Sequence, residues 1–152
     1  MIKWLMMSLM MVSCAALGQS KSPQDAIVGI WRGTSICTNV PGNESCHDES
    51  VIYDFRAKSS RLDTVTQKAD KVVNGAVLPM GELEFTYDAK QIRWISEFQN
   101  SRVHILWAFV VKGTTMTGTC VDLSSNVVRR NVSVRKDPPI RSKARSSVPG
   151  GK

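Results

Sequence analysis

The sequence is poor in the residues that most metal and nucleophile chemistry requires. Its 152 residues include two histidines, His47 and His104, and four cysteines, none of them in a Cys-x-x-Cys pair. That spacing excludes the common zinc sites. No Gly-x-Ser-x-Gly elbow, phosphate-binding loop or dinucleotide fingerprint occurs, so the familiar hydrolase, nucleotidase and dehydrogenase signatures are missing. Apolar runs stay short of the roughly 20 residues that a membrane-crossing helix needs. Ten Gly and six Pro are too few for a collagen-like or low-complexity chain.

A basic body is also lacking, although the formal net charge is +7. Residues 1–22 hold Lys3 and Lys21 with no acid, and 135–152 hold six basic residues against Asp137; residues 23–134 carry 12 of each sign. A neutral central region argues against a dedicated nucleic-acid groove, so no specific nucleic-acid partner is expected.

What is present begins with an export signal. Lys3 precedes an apolar stretch from Leu5 to Leu17, followed by the polar segment Gln19-Ser20-Lys21-Ser22. This is the order of a secretory leader over residues 1–18, and it implies a periplasmic or secreted protein. Ala16-Leu17-Gly18 fits cleavage after Gly18. Met11-Val12-Ser13-Cys14 also resembles a lipobox, in which Cys14 would carry lipid; only then would a membrane be a partner. In an oxidising compartment Cys37 and Cys46, which bracket a loop with the turn pair Pro41-Gly42, are placed to form a disulfide. Cys120 is left as a buried packing thiol.

From residue 29 the hydrophobic pattern alternates. Val51, Tyr53 and Phe55 share one face, as do Leu83, Phe85 and Tyr87; Ile92, Trp94 and Phe98 share another. Val103–Val111 is apolar at nearly every position, as in a strand covered on both faces or turned toward a partner. Turn residues at 88–90, 99–101, 112–114 and 124–126 separate the runs. Strands at about 30–37 and 61–67 bring the total to eight, which predicts an all-β fold, an eight-stranded antiparallel up-and-down barrel over 29–136. Residues 69–79 interrupt the rhythm and read as a helical turn or an irregular crossing, with Gly81 opening the next strand. Residues 19–28 form an N-terminal arm, and 137–152 a basic tail with too little to bury, read as disordered.

Gly29-Ile30-Trp31 at the head of the first strand, followed by the meander, resembles the lipocalin and wider calycin group. The segments Gly29–Cys37, Cys46-His-Asp-Glu49 and Ala69–Gly75 are similar to uncharacterised exported bacterial proteins. The resemblance implies that Trp31 seals one end of the barrel under an arginine of the last strand, for which Arg130 is the choice. A guanidinium over an indole contributes about 0.5–2 kcal/mol.

The mid-strand aromatics Tyr53, Phe55, Phe85, Tyr87, Trp94 and Trp107 form the candidate ligand-binding set for a small apolar or amphipathic molecule, unless they simply fill the core. His47-Asp48-Glu49 is the one dense polar cluster. Neighbouring strand residues point to opposite faces, so all three cannot converge on one ion without a bulge; the segment reads as a solvated shoulder, and an enzyme using His47 and Glu49, which could share a face, is the minor alternative. The expected protein is a cofactor-free, non-catalytic binder, with a periplasmic interaction module such as a hydrolase inhibitor as the alternative. In that second case the partner is an exported protein, met by residues 19–28 or the bridged 37–46 loop. Deleting residues 137–152 is expected to leave the fold intact, shown by an unchanged circular dichroism spectrum.

Overall fold

The computed structural model describes residues 22–139. The expected leader, Cys14 and residues 140–152 lie outside the described residues. Eight antiparallel strands follow in order: β1 (Gly29–Cys37), β2 (Glu49–Lys58), β3 (Arg61–Val73), β4 (Ala76–Asp88), β5 (Arg93–Gln99), β6 (His104–Lys112), β7 (Thr115–Asp122) and β8 (Val127–Lys136). Each pairs with the next, and β8 returns to β1, so the sheet is a closed up-and-down barrel with no free edge. The eight strands expected from alternation are all present.

Closure follows from which side chains point inward. Val51, Tyr53 and Phe55 of β2, Val65 of β3, Phe85 of β4, Trp94 of β5, Phe109 of β6, Met116 of β7 and Val132 and Val134 of β8 are buried together. Phe109 lies at the centre, with ring centroids 5.2 Å from Phe85, 5.8 Å from Tyr53 and 6.1 Å from Phe55. Such tilted and edge-on arrangements suit the ring quadrupoles. Facing Phe109 in β7 is Gly118. A Cβ there would lie 2.1 Å from Phe109 Cδ1 and 2.5 Å from the Ala108 carbonyl, so the ring uses space that only glycine leaves open.

One end of the barrel is plugged. Ser22 caps a short helix, α1 (Pro23–Ile27), accepting a hydrogen bond from the Asp25 amide, with proline in the first turn. Ile27 is fully buried, and the Gln24 amide donates to the carbonyls of Arg61 and Thr64. Residues 22–28 of the expected arm are thus docked on the barrel. Trp31 sits beneath the helix and donates from Nε1 to the Ile27 carbonyl at 2.7 Å.

Three expectations need correction. The cation over Trp31 is Lys136, with Nζ 5.3 Å from the ring centroid and bonded to the Ala26 carbonyl; Arg130 is at the other end of the barrel. The reason is antiparallel register, which sets Trp31 opposite Lys136 and Cys37 opposite Arg130. Residues 69–79 are not a helical turn or crossing but the extension of β3 and β4 into one long hairpin. Asn74 (φ 51°) and Gly75 (φ 81°) both adopt positive φ, the signature of a tight two-residue hairpin turn. Gly81 lies inside β4, at a bulge opposite Ala69, and does not open the strand.

Asp137, assigned to the tail, also belongs to the barrel. Its carboxylate pairs with Arg32 at 2.9 Å and its amide bonds the Ile30 carbonyl. The space around Gly118 makes a direct test. Gly118→Ala is expected to destabilise the protein by about 1–3 kcal/mol through overpacking against Phe109, measurable as a lower denaturation midpoint at unchanged slope.

Candidate functional site

The interior is not filled along its whole length. Toward the end opposite α1, the large rings give way to Ala69, Gly81 and Gln67, and a cavity of about 290 Å³ opens there. β3 and β4 supply Gln67, Ala69, Met80 and Leu83, while Trp107 comes from β6. β1, β2 and β8 contribute Ser35, Glu49, Tyr53 and Arg130. The result is a cup with an apolar side and a polar side.

Arg130 organises the polar side. Its Nε donates to Ser35 Oγ at 2.8 Å, and Nη2 donates to the carbonyls of Ser35 (3.1 Å) and His47 (2.9 Å) and to Glu49 Oε2 (2.9 Å). Nη1 reaches Cys46 Sγ at 3.0 Å. Glu49 is also paired with Lys71 at 3.3 Å. One side chain, 16% exposed, thus ties β8 to β1, to the start of β2 and to the disulfide. The Cys37–Cys46 bridge itself is present, with a Cα–Cα distance of 6.0 Å.

Burial pushes the Tyr53 hydroxyl up to about 12, with the Ser35 hydroxyl and the Arg130 charge pulling the other way. Burial likewise raises the Cys120 thiol to about 11. Cys120 is therefore protonated at neutral pH, in keeping with a packing role.

The six aromatics singled out in the sequence divide sharply. Tyr53 and Trp107 line the cup. Phe55, Phe85 and Trp94 are fully buried in the core, and Tyr87 packs against Trp94 at 5.2 Å. These four fill the barrel instead of facing the cup. Glu49 converges on the cup, whereas His47 is exposed and contributes its carbonyl. Asp48 accepts the Cys37 amide at 2.8 Å, the shoulder role expected of the His47-Asp48-Glu49 segment. His104 faces outward with Glu97. Among the described residues, no group of three His, Cys, Asp or Glu side chains could hold a metal ion.

Gln67, Ala69, Met80 and Leu83 were not anticipated. The available signal was the small pair Ala69 and Gly81, which face one another where larger residues would close the space. No protein-family model matches the sequence, and comparison with curated proteins finds no significant match.

The raised Tyr53 value carries a pH consequence. The folded state keeps the phenolic proton where the unfolded chain has lost it, so this contribution is complete below pH 10 and fades as pH rises from 10 toward about 12. Tyr53→Phe is expected to flatten the alkaline fall in stability relative to the parent, measured by urea unfolding at a series of pH values.

Proposed function

We propose that this protein is an exported, lipocalin-like barrel that carries a small amphipathic molecule in its cup, without catalysis. The observation that carries this reading is the two-sided cavity of about 290 Å³, with Trp107 and Leu83 facing Tyr53, Ser35 and Arg130. Small-molecule sites combine an apolar wall with a few fixed polar groups in this way, and the volume lies near the lower limit of about 300 Å³ for such pockets. The ligand is accordingly small. The Gly29-Ile30-Trp31 resemblance supports a carrier, and the Cys37–Cys46 bridge supports an oxidising compartment.

A second reading, an interaction module for an exported protein, is favoured by the far part of the β3–β4 hairpin, where Val73, Val77, Leu78 and Met80 are exposed. The docking of residues 22–28 on the barrel weakens the version in which that arm enters a target. Pull-down from periplasmic extract by the parent but not by Val77→Lys/Leu78→Lys would favour this second reading.

Filling the cup separates the two. Ala69→Phe places a ring in the cavity and leaves the hairpin surface unaltered. It is expected to abolish binding of a naphthalene-type fluorescent probe while preserving the thermal midpoint to within a few degrees. Equal probe binding by parent and variant would rule out the cup as the carrier site.

A further inference from the structure

We infer that the ligand of the cup is recognised through a neutral, planar donor–acceptor edge, as in a carboxamide or lactam, and that Gln67 is the residue that reads it. This rests on the carrier reading above and adds the ligand's chemical class.

Gln67 is 3% exposed and lies inward on β3 between Val65 and Ala69, opposite Phe55 on one side and Leu83 on the other. Its side chain has no hydrogen-bond partner among the described residues. Nor is the carboxamide sealed in: among those residues, the fully enclosed side-chain nitrogen or oxygen that lacks a hydrogen bond is Arg93 Nε. The Gln67 amide therefore opens on the cup that it lines. A buried amide without a partner is unfavourable, and such groups in folded proteins are satisfied by protein, water or ligand.

The charged groups around the cup point the same way. Arg130 spends its donors on Ser35, His47, Glu49 and Cys46, and Glu49 is shared between Arg130 and Lys71. These charges neutralise one another within the wall, so an ionic head would have to break an existing pair. Glu82 sits exposed at the rim. Gln67 lines the same cup without a hydrogen bond of its own among the described residues, and it offers a carbonyl acceptor beside an NH₂ donor in one plane. The edge that satisfies both at once carries a donor beside an acceptor. A flat apolar body attached to such an edge would rest against Trp107, whose plane is set by stacking on Phe109 at 6.2 Å and 27°.

The test uses the full chain and four naphthalene probes that differ in one substituent at the 2-position: methyl, carboxamide, carboxylate or aminomethyl. Binding is followed by calorimetry and by quenching of tryptophan fluorescence. The carboxamide is expected to bind about tenfold more tightly than the methyl compound, as one added hydrogen-bonded group permits. Gln67→Leu should erase that preference, so that the carboxamide and methyl compounds bind the variant equally, and Gln67→Met serves as a second variant should the first fold poorly. Tightest binding by the carboxylate or the amine, or equal binding of methyl and carboxamide compounds, would overturn the inference while leaving the carrier reading in place. Failure of all four probes to bind, or binding indifferent to Ala69→Phe, would remove the carrier reading and this inference with it.

Discussion

The open end of the barrel depends on one guanidinium. Arg130 reaches two hydroxyl or carbonyl oxygens of Ser35, the His47 carbonyl, the Glu49 carboxylate and the sulfur of Cys46. A single planar group thereby fixes the relative positions of the last strand, the first strand, the start of the second strand and the bridged loop. Arginine suits this task because its fork of donors is rigid and always charged. Ser35 and Glu49 both bond to that fixed point, and Lys71 holds Glu49 from the other side.

The barrel is best understood as two stacked regions with different rules. Near α1, rings and methyl groups fill the interior, and Trp31, Ile27 and the Lys136 stem close the floor. Dense packing there gives the domain its stability. Toward the other end, small residues replace rings on β3 and β4, and the interior changes from solid to hollow within two residue steps, from Phe85 through Leu83 to Gly81. Tyr53 belongs to both regions, with its ring in the aromatic cluster and its hydroxyl at the polar wall.

Strands with one buried face could be read from the sequence, as Val51–Phe55 and Leu83–Tyr87 illustrate, because burial imposes a two-residue period. The disulfide was legible for a similarly local reason: a short loop with a turn pair brings its two ends together. The extension of β3 and β4 was not, because a ribbon with solvent on both faces has no reason to alternate; Asn74-Gly75 was the one sign of it. The partner of Trp31 was misplaced for want of register, although antiparallel order already sets the beginning of β1 against the end of β8. The cup was hardest to see. Aromatic richness pointed to a pocket, yet most of those rings are the core, and a hollow is made by residues that are small.

The placement of the chain ends has a practical side. Ser22 begins the helix that plugs the floor, and Lys136, which leads into Asp137, bonds back to the carbonyl of Ala26 in that same helix. Both ends of the described chain therefore meet at one pole, and the cup occupies the other. A tether that leaves directly from Ser22 or from Asp137 would hold the barrel with its mouth outward. Immobilised at those two residues, the barrel would present its cavity to passing solutes like a stemmed goblet.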